Sequence, residues 1–222
     1  MEKILITLDH VRKNDKVKTY IEKANDQMNA LGYTEHGFRH AGIVAATAKN
    51  IPDSLGLDSR LAELSAIAGY LHDIGNVVNR KDHGEISAML AYDILKEMGM
   101  EAAEIATIMG AIGNHEEELG SPISSIGAAL ILADKADVHR SRVQNPNPLS
   151  FDIHDRVNHA VEHSLLRVDT QRKSINLELT TDTHSASVME YFEIFLLRML
   201  MCRRAADFFG CKFKLIINGV DL

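Results

Sequence analysis

Between Asp15 and His139 the apolar residues recur at helical spacing in one segment after another, and each segment is followed by a short break. This constrains the fold most, because a 3.6-residue period buries one face of a helix and short connections force neighbouring helices to pack. The first segment runs from Asp15 to Leu31, with Val17, Ile21, Ala24, Met28 and Leu31 on one stripe and Gly32 as a stop. A second runs from His40 to about Asn50 with Ile43, Val44, Thr47 and Ala48 inward, and Pro52, Asp53, Ser54 and Gly56 form a break. Asp58 or Ser59 caps the next, Arg60–His72. Glu85–Met98, Glu101–Asn114 and Ser124–His139 follow. The pattern changes at Gln144–Pro148. Beyond it, 160–169 and 174–180 read as strands joined by a loop at 170–173, with Ile175, Leu177 and Leu179 alternating with polar residues. An apolar helix over Ser185–Phe209, with a Met and Phe stripe suited to a core or a homodimer seam, and a strand over Lys212–Ile217 complete the chain. The expected fold is mainly α: a helical domain over 1–145 and a small α+β appendage (hairpin, helix, strand) over 146–222.

Composition narrows the function classes. A net charge of −7 argues against a surface that coats nucleic acid, while leaving room for a local basic pocket that takes one phosphate. No apolar run reaches membrane-spanning length, and the first ten residues lack a long apolar stretch, so a cytoplasmic protein is expected. Cys202 and Cys211, the only two cysteines, are too few for a disulfide scaffold and read as structural thiols or one bridge.

Six of the eleven histidines lie between His36 and His139. His72 and Asp73 are adjacent at the end of an apolar helical run, with Gly75 just beyond as the expected helix stop. Adjacent helical residues point about 100° apart, so both reach one ion only where the helix ends. An imidazole nitrogen beside carboxylate oxygens suits Fe, Mn, Zn or Ni. Asp134 lies in the apolar run Ala129–Ala136, where a carboxylate is costly unless paired or metal-bound. His40 begins one helix, and His83 and His115 flank others.

The set His40, His72-Asp73-Ile74-Gly75, His83-Gly84-Glu85, Asn114-His115-Glu116 and Ala133-Asp134-Lys135 resembles the HD-domain superfamily of metal-dependent phosphohydrolases, over roughly residues 36–140. The resemblance implies an HD-type helical bundle holding two divalent ions, Fe or Mn first, with Ni, Zn, Mg and Co also accepted. One ion would take His40, His72, Asp73 and Asp134, and the other His83 and His115. Asp73 would bridge them and orient the attacking hydroxide. Two ions about 3.5–4 Å apart lower the pKa of a shared water and neutralise phosphoryl charge. The implied reaction is hydrolysis of a phosphate monoester or phosphodiester of a small, nucleotide-like compound. Lys135, Arg80 or Lys81 would contact the phosphate, and Glu116 would support a ligand histidine. His36, four residues before His40, would cap the helix or touch substrate.

Two departures separate this chain from relatives. Asn76 stands where many have Lys after His-Asp-x-Gly. The Gly-Tyr-Pro element of cyclic-dinucleotide enzymes is replaced by Glu116-Glu117-Glu118-Leu119-Gly120, which argues against cyclic dinucleotides. Two other functions fit the same residues: a di-iron oxygenase of the superfamily, and a catalytically silent regulatory domain.

Overall fold

The computed structural model describes residues 5–117 and 120–222, so Glu118 of the acidic run lies outside the described residues. Helices α1 (Leu8–Lys13), α2 (Asp15–Ala30), α3 (Phe38–Ser54), α4 (Ser59–Leu71), α5 (His83–Glu97), α6 (Ala102–Gly113) and α7 (Ser125–Ala136) come first. Then follow α8 (Ile153–Ala160), strands β1 (Val161–Asp169) and β2 (Ser174–Thr181), α9 (Val188–Phe208), β3 (Lys212–Ile217) and β4 (Val220–Asp221). The chain is mainly α with a small C-terminal sheet, in the order expected. No helix among the described residues is long and apolar enough to cross a membrane.

Two apolar clusters share α7. Its Ile126, Leu130 and Ala133 pack with α1 to α6. Its Ala128, Ala129, Ile131, Leu132 and Ala136 pack against the sheet and α9. A helix apolar on every side must be covered on every side, which makes α7 the wall between the helical layer and the sheet layer. The sheet order is β1-β2-β3-β4, with β1 and β2 antiparallel and β2 and β3 parallel. A parallel pair needs a crossover, and α9 supplies it. Leu177 lies opposite both Leu166 and Leu215, and all three are buried.

Several local expectations give way to packing. Helix α3 passes through Pro52 to Ser54 instead of breaking there. The buried Pro52 ring sits in the last turn, where Leu55 N–H still reaches Ile51 O at 3.1 Å, so only the bond proline cannot donate is missing. The inward stripe of α3 is His40, Ala41, Val44, Ala45, Ala48 and Ile51, and Ile43 is exposed. Helix α7 stops at Ala136, three residues before His139, which leaves Asp134 in its last turn and not mid-helix. Helix α9 buries one face only: Met189, Leu196, Leu197 and Phe208 are exposed. The short α1, α8 and β4 carry too few residues to show a period. Both cysteines are buried and free, so there is no bridge.

Gly75 has a role different from the expected helix stop. It lies in a 3₁₀ turn, Ile74–Val77, and its backbone presses against α5. A Cβ there would stand 2.3 Å from His83 O and 2.5 Å from Ser87 N. Gly75 N–H also donates to Ser87 Oγ at 2.7 Å. Glycine is required because two backbones meet, and the contact pins the His72-Asp73 turn against the helix that begins with His83.

Candidate metal centre

Helix ends and turns deliver six side chains to one point. His40 lies in the first turn of α3, His72 caps the C-terminus of α4, and Asp73 follows in the bridge region at φ −107°, ψ 1°. His83 opens α5, His115 follows the α6 cap, and Asp134 comes from α7. All four histidines are buried.

The local chain fixes how each imidazole points. The carbonyls of a last helical turn have no partner within the helix. His72 Nδ1 donates to Gly69 O at 2.8 Å, and His115 Nδ1 donates to Ile112 O at 2.6 Å. His83 Nδ1 uses the same three-residue step to Arg80 O at 3.0 Å, with Glu116 Oε1 2.7 Å away. His40 Nδ1 donates to Asp137 Oδ2 at 2.6 Å. An acceptor at Nδ1 places the hydrogen there and leaves the Nε2 lone pair free for an ion.

The four Nε2 atoms face the carboxylates of Asp73 and Asp134. Asp73 Oδ2 lies 3.4 Å from His40 Nε2 and 3.2 Å from His72 Nε2. Its other oxygen, Oδ1, lies 3.1 Å from His83 Nε2 and 4.0 Å from His115 Nε2. Asp134 Oδ1 lies 3.3 Å from His40 Nε2 and 3.6 Å from His72 Nε2, while its Oδ2 meets Lys135 Nζ at 2.7 Å. His40 Nε2 and His72 Nε2 stand 3.3 Å apart. Two lone pairs at that distance repel unless a proton or a cation lies between them. The ligand atoms of His40, His72 and Asp134 fall within 4.8 Å of one another, as do those of His72, Asp73 and His115. Neutral imidazoles and carboxylates so grouped fit a divalent transition ion.

Other expected residues take supporting places. Asn76 is fully buried; its Nδ2 donates to Asp73 O at 3.0 Å and holds the turn. Glu116 accepts from Gly84 N–H at 2.8 Å, an acid at the N-terminus of α5. His36 lies before α3 and not on it; its ring is edge-on to His40 at 5.6 Å, and Nδ1 donates to Thr34 O. Lys135 is buried between Asp134 and Glu117. Arg80 Nη1 donates to His83 Nε2 at 3.2 Å, whereas Lys81 is exposed on the rim.

Four contributors escaped the sequence reading. Asp137 holds His40 and also takes two hydrogen bonds from Arg39, at 3.2 and 2.8 Å. Arg142 is buried and bonds to Glu35 O and Asp137 O. Arg198 arrives from α9 with its Nε 2.9 Å from Glu117 Oε1. That Glu117 oxygen is buried and has no well-formed hydrogen bond, although Lys135 Nζ is also 3.1 Å away. Asp137 was visible three residues after Asp134, but no motif pointed to Glu117, Arg142 or Arg198.

The cluster titrates as one body when no ion is bound. Burial would lower the His72 imidazole, but the charges of Asp73 and Asp134 outweigh it and raise the value to about 10. Burial and the neighbouring His72 and Lys135 cations push His115 down to about 3. Burial opposes ionisation of Asp73 and Asp134, yet His72 beside the first and Lys135 beside the second hold both well below the usual carboxylate range. A raised His72 contributes stability below its unfolded value near 6.5, lost as pH climbs toward about 10. A depressed His115 contributes stability above 6.5, lost as pH falls toward about 3, and the two aspartates add to that acid loss below about 4. The thermal midpoint of the chelator-treated protein is therefore expected to peak near pH 6.5. A midpoint that rises steadily from pH 4 to 10 would contradict this account.

Residues 37–139 match the family model of the HD domain. The uncharacterized protein MJ1020 of Methanocaldococcus jannaschii is 28% identical over 209 residues, which covers 84% of this chain and 80% of that protein. A solved structure described as a predicted HD superfamily hydrolase, from an uncultured Thermotogales bacterium, is 25% identical with a TM-score of 0.45, covering 56% of this chain and 67% of its own.

Proposed function

We propose, from the match of residues 37–139 to the HD domain family model, that the chain is a metal-dependent phosphohydrolase acting on a small phosphorylated compound. The observation that carries this reading is the division of Asp73, whose Oδ2 faces His40 and His72 and whose Oδ1 faces His83 and His115. By this reading His40, His72, Asp73 and Asp134 hold one divalent ion, and His83, His115 and Asp73 hold a second. Bound there, divalent ions supply Lewis acidity toward a phosphoryl group and lower the pKa of a water. Asp134 serves one ion, because its second oxygen is tied to Lys135.

The rest of the chemistry belongs to the chain. Asp137 and Glu116 keep His40 and His83 aimed inward. Arg142 and Arg198 line the small cavity over the cluster, where fixed guanidinium groups stabilise charge on phosphoryl oxygens. A larger cavity of about 410 Å³ shares His36, Arg80, Arg142 and Arg198 with it and has room for the body of a small substrate.

Protein loaded anaerobically with Mn²⁺ is expected to release nitrophenol from p-nitrophenyl phosphate or from bis-p-nitrophenyl phosphate. Chelation should stop the release and Mn²⁺ should restore it. Absence of turnover across a wider phosphoester panel, with O₂ uptake by iron-loaded protein, would replace this reading with the oxygenase.

A further inference from the structure

The 410 Å³ cavity is lined by three arginines where it meets the His/Asp cluster, and they are not equally committed. Arg142 spends its Nε and both Nη nitrogens on the carbonyls of Glu35 and Asp137 and is 3% exposed. It serves the fold first. Arg198 has one ion pair, through Nε to Glu117. Its guanidinium carbon stands 4.6 Å from the centroid of the buried Phe195 ring, which holds the plane in place. No hydrogen bond occupies its two terminal nitrogens among the described residues. That is a positioned fork with its two-nitrogen edge free, the geometry that suits two phosphate oxygens. Arg80 reinforces it. Its guanidinium lies over the Tyr33 ring at 5.9 Å, and its Nη1 donates to His83 Nε2. An ion on His83 would need the same lone pair, so loading the site leaves Arg80 Nη1 with only its long 3.4 Å bond to Asn76 Oδ1.

We propose that Arg198, assisted by Arg80, forms an anion subsite in the larger cavity beside the His/Asp cluster, which selects substrates carrying a second phosphoryl group in addition to the one hydrolysed. This rests on the phosphohydrolase reading and specifies its substrate class: phosphoanhydrides or bisphosphates in preference to simple monoesters. The C-terminal segment thereby completes the site, since Arg198 comes from α9 and Asp155 and Asn158 of α8 line the same cavity. Lys135 lines only the small cavity over the cluster, whereas Arg198 and Arg80 line both that cavity and the larger one beside it.

The test is binding as well as turnover. Calorimetry on Mn²⁺-loaded protein, freed of excess metal, compares methylenebisphosphonate with methylphosphonate. Two charge-assisted hydrogen bonds predict that the bisphosphonate binds roughly 10- to 100-fold more tightly. In Arg198→Gln that preference should shrink toward unity because bisphosphonate affinity falls by much more than methylphosphonate affinity, and Arg198→Lys should restore part of it. For turnover, Arg198→Gln should raise KM for a nucleoside diphosphate by a clearly larger factor than it raises KM for p-nitrophenyl phosphate. Equal affinities in the wild type, or equal weakening of both ligands in the variant, would overturn the subsite. Preference for the bisphosphonate without turnover of any phosphoester would keep the subsite and remove the phosphohydrolase reading. Circular dichroism on both variants separates these outcomes from misfolding.

Discussion

Asp73→Ala is expected to lose both bound ions and to lower phosphoester turnover by on the order of 10³-fold or more, the scale of several kcal/mol of transition-state stabilisation. Every close pairing of an inward-facing Nε2 with a carboxylate passes through Asp73 or Asp134. Asp73 alone touches both halves, Oδ2 on the His40 and His72 side and Oδ1 on the His83 and His115 side. His83→Ala or His115→Ala should instead cost mainly one ion, because His40, His72 and Asp134 remain. Asn76 substitutions should alter rate without removing metal, since its amide bonds to the Asp73 backbone carbonyl and not to the cluster. Metal content per chain in wild type, Asp73→Ala and His115→Ala checks the series directly. Asp73→Asn repeats it at nearly constant shape in case the alanine variant folds poorly. Two ions retained in Asp73→Ala, or no more than one in replete wild type, would remove the two-ion arrangement.

The second large effect belongs to Asp137, which touches none of the inward-facing Nε2 atoms. Its carboxylate accepts from His40 Nδ1 at 2.6 Å and from both Arg39 terminal nitrogens, and Arg142 Nε lies 3.8 Å away. Burial alone would raise this carboxyl, but the His40 hydrogen bond and the Arg142 charge drive it far below the usual range. Asp137→Ala strands a buried Arg142 and a largely covered Arg39. Losing one member of such a pair costs about 3–5 kcal/mol, and on a chain of this size that lowers the thermal midpoint by roughly 6–20 °C. Losing the carboxylate behind a ligand histidine also weakens metal binding by about 10- to 100-fold. Asp137→Asn keeps an acceptor for His40 and should lose less of both. Glu116→Gln should do less still, because Glu116 is partly exposed and Arg80 O also holds His83. Thermal midpoints and metal dissociation constants for the three variants rank these effects, and an Asp137→Ala protein with wild-type metal affinity would show that His40 needs no support.

The sequence alone determined the helical layer, the C-terminal strands and the identities of the clustered histidines and aspartates. The physical reason is that these are local or costly features. Periodicity over a dozen residues shows on one segment, as in Val17, Ile21, Ala24 and Met28. A carboxylate at Asp134 inside an apolar run asks for a partner before any partner is known. The tertiary structure decided what depends on residues far apart in the chain. The role of Gly75 came from α5 pressing on its backbone, not from the end of its own helix. Helix α3 runs through Pro52, whose ring is buried. The support of His40 by Asp137 spans 97 positions, and Arg198 reaches the Glu117 carboxylate from a helix that follows the sheet hairpin in the chain. Such long-range pairings are set by how layers stack, and no period or spacing along one chain records them.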